Sequence, residues 1–181
     1  IRAILGGKFD EIVSMKEAGI DHETVEDGTT FMENAIKKAK EIAEISGCCA
    51  LADDSGICVD ALDGAPGIYS ARYAGEHGDD AANNRLLLEN LADKEDRRAE
   101  FVCVIACVFP DGREPICVEG RTEGLILEEL RGNEGFGYDP LFYYEPFGKT
   151  YAELSYDEKN SISHRFKAIE KLASEFEKIG L

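Results

Sequence analysis

The stretch FVCVIACVF, residues 101–109, is a run of nine apolar residues without a polar break. Such a run is typical of a β-strand that is buried on both faces. The turn sequence PDG follows at residues 110–112, and residues 114–124 then predict an antiparallel neighbouring strand. The centre of the fold is therefore expected to be a β-sheet.

Helices and further strands are predicted on both sides of this pair. Thr30 and Glu33 form a T-x-x-E capping box, and Gly47 supplies a stop, which together delimit a helix. The predicted helices are residues 30–46, residues 79–91 and a last helix that begins at residues 161–164 and ends at 179; the other predicted strands are residues 48–52, 57–62 and 141–144. This alternation predicts an α/β fold around a mixed sheet flanked by helices.

Composition narrows the classes of function. The chain has 181 residues, which is enough for one domain with a substantial core. Its 37 acidic and 20 basic residues give a net charge of −17, which argues against a nucleic-acid partner. No apolar run approaches membrane-spanning length, so no membrane partner is expected. A small anionic substrate remains compatible, because a metal ion and a few cations reverse the field locally.

The six cysteines are interpreted as reduced, small core residues of a cytosolic protein. Most of them lie within apolar runs, and no C-x-x-C pair occurs. A disulfide framework or a zinc site is the alternative.

Two adjacent acids, Asp53 and Asp54, follow the predicted strand at residues 48–52. One interpretation of DDSG is a turn, because Asp and Ser bond their own backbone and Gly adopts positive φ. The other is a divalent-metal site, since α/β folds bind ligands beyond the carboxyl ends of strands. The residues of this stretch alone leave both open.

Two other segments could recognise a nucleotide. In NEGFGYDP, residues 133–140, a base could stack on Phe136 or Tyr138 and bond Asp139, or the aromatic rings could simply fill the core. The segment KNSISHRFKA brings cations to a predicted helix start, which is an anion site through its free N–H groups and dipole. Those cations are Lys159, His164 and Arg165. A surface or capping histidine is the alternative for His164.

Helical geometry places two cations on apolar faces. Lys38 projects on the side of its helix that carries Phe31 and Ile42, and Arg165 lies one turn ahead of Ile169. An inward cation needs a partner to offset desolvation. For Lys38, snorkelling from the edge of the face is the alternative.

Four motifs together resemble the inosine/xanthosine triphosphate pyrophosphatase family, in order and in spacing. They are TTFMENAIKKA, LADDSGICVDALDGAPGIYSARYAG, FGYDPLF and KTYAELSYDEKNSISHRFKA, and the resemblance covers essentially the whole chain. It implies Mg²⁺-dependent cleavage of XTP, ITP or dITP between the α- and β-phosphates, as a house-cleaning activity. It also implies a cytoplasmic homodimer whose long mixed sheet lies in two lobes with a central cleft.

The resemblance also implies roles for single residues. Asp54 is similar to the general base and a metal ligand, Glu26 to the second metal-binding carboxylate, and Lys38 to the lysine that meets the polyphosphate. Ser55 is similar to a nucleotide contact. The loop that holds the base corresponds to Phe136, Gly137, Tyr138 and Asp139, and the base and phosphate contacts near the final helix correspond to Lys159, His164 and Arg165.

One family element has no counterpart, the strand that leads to an S/T-x-N-x-x-K motif. Position 5 is Leu where that motif requires Asn, so residues 1–5 are interpreted as the tail of the first helix and residues 8–16 as the next strand and turn. Residues 1–181 are then a single domain without its first strand and phosphate loop, roughly 15–20 residues by typical element lengths. We expect the gene to encode them. The alternatives are a catalytically impaired nucleotide-binding module, a pyrophosphatase for other modified nucleotides, or a phosphatase that removes one phosphate.

Overall fold

Five strands form one sheet in the order β1–β2–β3–β4–β5. The computed structural model describes all residues, 1–181. β4 pairs antiparallel with β3 and with β5. The strands are β1 Ala50–Val59, β2 Arg98–Val108, β3 Ile116–Ile126, β4 Phe142–Tyr144 and β5 Lys149–Thr150, and the helices are α1 Arg2–Leu5, α2 Phe31–Ser46, α3 Asp80–Asn90, α4 Tyr156–Ile162 and α5 His164–Lys178.

The predicted central strand is confirmed. Residues 101–109 are all buried, and β2 lies between β1 and β3 in the sheet. Burial on both faces explains why this strand carries no polar alternation. The predicted strand after the turn is β3, so the α/β fold is confirmed as well.

The chain divides into two compact units, each with its own core. Unit 1 comprises Ile1–Asp54, Cys103–Gly120 and Arg165–Leu181, and unit 2 comprises Ser55–Val102 and Arg121–His164. In unit 1 helix α5 buries a side chain on every turn, and these pack with alternate residues of β2. The buried members of this core are Leu5, Cys103, Ile105, Cys107, Phe109, Ala168, Leu172 and Phe176.

The core of unit 2 is aromatic. Phe101 packs against Phe142, with ring centroids 4.4 Å apart, and against Tyr151 at 5.3 Å. Leu87 of α3 and Leu91, the C-cap residue of that helix, join the same core. Aromatic pairs in such tilted and stacked geometries add to the free energy gained by burying their surface.

The predicted interruption between two strands at DDSG is wrong, because residues 50–52 and 57–59 of those strands belong to one continuous strand. β1 is ten residues long and passes through Asp53, Asp54 and Ser55 without a turn. Successive side chains of a strand point to opposite faces, which accounts for Asp54 being buried while Asp53 is exposed. Pairing with the sheet therefore outweighs the turn propensity of the local sequence.

The N-terminal segment matches the expectation in part. Helix α1 confirms a helical end at residues 1–5, but the strand predicted at residues 8–16 is wrong. Polar backbone groups of this segment bond to nearby side chains instead. Arg2 Nε donates to the carbonyl of Ile12, and the Ser14 N–H donates to the Glu17 carboxylate. Its backbone therefore forms turns and not a sheet ladder.

All six cysteines are free thiols, but only some are core residues. Cys103 and Cys107 are buried, Cys48 is exposed, and the others are half-buried. The expectation of small core residues thus holds for two of them. No helix is both long and apolar enough to cross a membrane.

Candidate active site

Helix α2 carries the first group of site residues and is fixed at both ends. Thr30 is its N-cap and accepts from the N–H of Glu33 at 3.1 Å, as predicted. The Glu33 carboxylate reaches back one residue further than a standard capping box, to the N–H of Thr29 at 2.6 Å. Gly47, at φ 68°, ends the helix. These caps hold the helix in one register, which positions the side chains on its inner face.

Lys38 projects from α2 between two carboxylates. Its Nζ lies 2.8 Å from Glu26 Oε1 and 3.0 Å from Asp54 Oδ1. The predicted inward-facing lysine therefore has partners, and the structure brings together three residues that the resemblance assigns to metal and phosphate chemistry. We call Glu26, Asn34, Lys38 and Asp54 the carboxylate–lysine cluster, and all four belong to unit 1.

Burial and charge act in opposite directions within this cluster. Burial raises the pKa of Asp54, and the attraction of Lys38 only partly offsets that rise. Burial alone would lower the pKa of Lys38, but hydrogen bonds and charge from Glu26 and Asp54 outweigh it and raise that pKa. Lys38 therefore stays an ammonium ion at neutral pH. Asp54 is a carboxylate that accepts a proton more readily than an ordinary aspartate, which suits a general base.

Asn34 was not among the predicted site residues. It is fully buried one turn before Lys38 on α2. Its Oδ1 accepts from the N–H of Gly28 at 2.9 Å, and its Nδ2 donates to Asp54 Oδ2 at 3.3 Å. Its place four residues before Lys38, on the same face, was the available signal, because a buried amide requires partners.

Asp53 lies on the opposite face of β1 and meets a different cation. Arg165 Nε is 3.4 Å from Asp53 Oδ2, and Cys103 Sγ is 3.9 Å from the same oxygen. Arg165, the second residue of α5, is half-buried rather than inward-facing, but it does have a carboxylate partner. Both members of the pair are partly exposed, so their mutual attraction is screened by solvent.

The prediction that three cations share the start of the last helix is wrong. Ser155 opens the separate helix α4 with a capping box, and Ser163 is extended between α4 and α5. Lys159 therefore lies in the last turn of α4, where its Nζ binds Asp139 Oδ2 at 2.5 Å. Only His164 and Arg165 are at the start of α5.

The loop at residues 135–139 is held by Asp139. This buried carboxylate accepts from the N–H of Phe136 at 3.0 Å as well as from Lys159. Phe136 is 62% exposed as a residue, and Lys159 Nζ lies 5.1 Å from the centroid of its ring. An exposed ring backed by a cation is an available stacking surface.

Tyr138 does not offer such a surface. It is buried, and its hydroxyl donates to the carbonyl of Ser70 at 2.7 Å, so the core-filling interpretation is correct for this ring. Burial raises the pKa of Tyr138. Of the two aromatic residues in the loop, Phe136 is therefore the one exposed to stack with a base.

Helix α3 clamps the peptide groups of Gly137. The N–H of Gly137 donates to Asp80 Oδ2 at 2.7 Å, and the carbonyl of Gly137 accepts from Asn84 Nδ2 at 2.8 Å. Both polar groups of this residue are thus used within unit 2. The loop is held in shape from α3 on one side and through Asp139 on the other.

His164 and Ser55 complete the predicted set. His164 is buried and stacks on Phe101, with centroids 4.8 Å apart and planes 13° apart, so the surface-histidine alternative is wrong. Ser55 is half-buried in β1, directly after Asp54, and is the first residue of unit 2.

Gly135→Ala should distort the loop more than Gly137→Ala does. Both glycines have positive φ, 78° and 59°, so either substitution strains the backbone by about 1 kcal/mol. Only at Gly135 would the new Cβ also meet a neighbour, 2.1 Å from Asp139 Oδ2, whereas nothing lies within 4 Å at Gly137. Thermal unfolding should show a clearly lower Tm for Gly135→Ala. Equal Tm values would contradict the role given to Asp139.

The donor atoms of the cluster suit a hard divalent cation such as Mg²⁺. No group of three or more His, Cys, Asp or Glu side chains is placed to hold a metal ion by itself. Glu26 and Asp54, however, present two carboxylate oxygens to one cation, the Lys38 ammonium. Mg²⁺ in nucleotide sites takes one or two carboxylates and completes its shell with phosphate oxygens and water. The donor set therefore fits that ion.

Comparison with known proteins identifies the family of this chain. Residues 1–175 match the Ham1 family. A protein of Clostridium perfringens named dITP/XTP pyrophosphatase is 55% identical over 180 residues, which cover 95% of this chain and 88% of that one. One of Bacillus anthracis with the same name is 50% identical over 169 residues, which cover 91% of this chain and 84% of that one.

Solved structures show the same fold. The Staphylococcus aureus Ham1 protein superposes with a TM-score of 0.90 at 44% identity, covering 98% of this chain and 91% of that chain. A Mycobacterium abscessus structure titled nucleoside-triphosphatase, dITP/XTP pyrophosphatase, gives 0.76 at 46% identity, covering 90% and 86%. The resemblance stated from the four motifs is confirmed, and this chain belongs to the Ham1 family.

Proposed function

We propose that this protein is a nucleoside triphosphate pyrophosphatase that hydrolyses non-canonical purine nucleotides, XTP, dITP and ITP, to the monophosphate and pyrophosphate. The observation that carries the proposal is the buried Asp54, held with Glu26 around the Lys38 ammonium. The relatives described above, named for dITP and XTP at 50–55% identity, support this substrate class.

Three residues of unit 1 have distinct proposed roles in the reaction. Asp54 would accept the proton of the attacking water, because its buried carboxylate has a raised pKa. Lys38 would turn its ammonium toward the polyphosphate and offset negative charge there. Arg165 is proposed as a further phosphate contact, which it would make while Asp53 orients its guanidinium.

Glu26 and Asp54 would hold the metal, which we propose to be Mg²⁺. Bound there, the ion would neutralise phosphate oxygens and favour formation of the nucleophile. The protein's part is to fix the two carboxylates, which it does through the caps of α2 and the sheet pairing of β1.

Base recognition is assigned to residues of unit 2. Phe136 would stack on the purine, and Lys159, together with backbone N–H groups, would donate to a 6-keto oxygen. Ser55 and His164 are proposed as further nucleotide contacts, the latter held flat by Phe101. Gly137 and Tyr138 would act by keeping the loop in shape. A donor facing the 6-position rejects the amino group of adenine, which cannot accept its hydrogen bond.

We further propose that the enzyme works as a homodimer in the cytoplasm. This proposal rests on the family resemblance. Light scattering coupled to gel filtration tests the stoichiometry, and a monomeric mass at working concentration would contradict it.

Substrate selectivity tests the proposed function. Pyrophosphate release should be fast with XTP and dITP, and at least about a hundredfold slower with ATP, because a hydrogen-bonding site rejects a mismatched group strongly. Removal of divalent cations with EDTA should stop the reaction, and added Mg²⁺ should restore it. Equal hydrolysis of ATP and XTP would contradict the proposed base recognition.

A further inference from the structure

Asn34 is the one member of the carboxylate–lysine cluster without charge, and both ends of its amide are engaged. It has no solvent exposure. Its amide bridges the backbone N–H of Gly28, two residues after Glu26, and the carboxylate of Asp54 on β1. One buried side chain thus links the loop of the first carboxylate to the second carboxylate.

The orientation of this amide is fixed by chemistry. A backbone N–H only donates, so the Asn34 atom that faces Gly28 must be the oxygen, 2.9 Å away. The NH₂ group is therefore directed to Asp54 Oδ2, at 3.3 Å. Since Lys38 binds the other oxygen, Oδ1, two side chains one helical turn apart hold the two oxygens of the same carboxylate.

The absence of a side chain at Gly28 is required by this contact. A Cβ at this position would lie 2.6 Å from Asn34 Oδ1 and 2.9 Å from Glu33 Cβ. Gly28 does not have positive φ, so its backbone conformation is open to any residue. The close approach of Asn34, together with that of Glu33 Cβ, is what excludes a side chain here.

We infer that Asn34 is a positioning residue for the proposed hydrolysis, with Gly28 as the backbone anchor that orients it. Asn34 holds the Asp54 carboxylate in one rotation, so that the oxygen that takes the proton of water does not have to be reoriented during the reaction. Preorganisation of this kind changes the rate of the chemical step more than substrate binding. The inference rests on the proposed function, because it gives Asp54 the role of general base.

The decisive variant is Asn34→Asp, which keeps the shape and the acceptor for Gly28 but replaces the NH₂ donor with an oxygen. That oxygen faces Asp54, so the two carboxyl groups repel or share a proton. We expect kcat for pyrophosphate release from XTP to fall about 10- to 100-fold, with KM within about twofold of wild type. Gly28→Ala should cause a loss in the same direction by displacing the amide. The double variant should lose little more kcat than the worse of the two single variants, because both substitutions disrupt the same link between Gly28, Asn34 and Asp54.

Two matched controls separate positioning from general damage. Gly7→Ala introduces the same methyl group in unit 1 at a glycine with nothing within 4 Å and without positive φ. Asn83→Ala removes a different buried asparagine, which bonds the backbone of Ala74 and Ala71 in unit 2. The first should match wild type in kcat. The second should lower Tm and leave kcat of the folded enzyme unchanged.

Each outcome has a definite meaning. An Asn34→Asp enzyme with wild-type kcat, or one whose loss lies in KM alone, would overturn the inference while the proposed function stands. Unfolding of both Asn34→Asp and Gly28→Ala, seen by circular dichroism, would show that the contact is structural and would also overturn it. A wild-type enzyme that releases no pyrophosphate from XTP, dITP or ITP would instead overturn the proposed function, and this inference with it.

Discussion

Replacing Asp54 with asparagine should lower kcat for pyrophosphate release by about 10³-fold, the range expected when a general base is lost. The substitution keeps the size of the side chain and one oxygen that can accept from the Asn34 NH₂ group, while it removes the carboxylate that accepts the proton. Nucleotide binding should survive, because the stacking ring and the other cations are unchanged. Steady-state kinetics with XTP and calorimetry with the same nucleotide measure the two effects separately.

Asp53→Asn is the matched control for this variant. Asp53 is the adjacent residue of the same strand, but it is exposed on the opposite face and pairs with Arg165. Its loss should change kcat by less than about tenfold, since the attraction in a solvent-exposed ion pair is weak. Wild-type turnover by Asp54→Asn, or equal losses in the two variants, would remove Asp54 from the proposed role.

Lys38→Met should destabilise the protein and make its stability depend on Mg²⁺. Without the ammonium, Glu26 and the buried Asp54 lack their shared cation, which should cost about 2 kcal/mol, less than a fully buried pair because Lys38 is partly exposed. That loss corresponds to a Tm lower by about 4–8 °C for a chain of this size. Added Mg²⁺ should raise the Tm of the variant more than it raises the Tm of wild type. The reason is that Lys38 no longer occupies the two carboxylates that would bind the ion.

Lys37→Met supplies the control for this experiment. Lys37 is the preceding residue of α2, and its Nζ pairs with the exposed Asp27 at 2.7 Å. Its loss should shift Tm by less than about 3 °C and should leave the response to Mg²⁺ as in wild type. A Lys38→Met variant that behaves like Lys37→Met would contradict the assignment of Glu26 and Asp54 to the metal.

The parts of the fold with strong local signals could be predicted from the sequence. The apolar run at residues 101–109 and the cap residues Thr30 and Gly47 each determine their element through neighbours in the chain. β1 could not be predicted in this way, because the turn-like residues Asp53 and Asp54 are kept extended by pairing with the sheet. The cations that they meet come from distant helices, α2 and α5.

For the site residues, too, features set by local sequence could be predicted and features set by distant contacts could not. Helical geometry was enough to place Lys38 on an inner face, since that depends only on spacing along α2. Asn34 was missed because its partners, Gly28 and Asp54, lie 6 and 20 residues away and meet it only in the folded chain. The grouping of Lys159 with Arg165 failed for a local reason, since the capping box at Ser155 begins a separate helix that the apolar periodicity did not reveal.

The most direct test of the central claim is the identity of the products formed from XTP and dITP with Mg²⁺. Chromatography of the nucleotide, together with separate assays for pyrophosphate and orthophosphate, resolves which phosphate bond is cleaved. We predict nucleoside monophosphate and pyrophosphate in a one-to-one ratio, with no diphosphate at any time. Orthophosphate with nucleoside diphosphate would show instead that the enzyme removes a single phosphate, and would contradict the account given for this site.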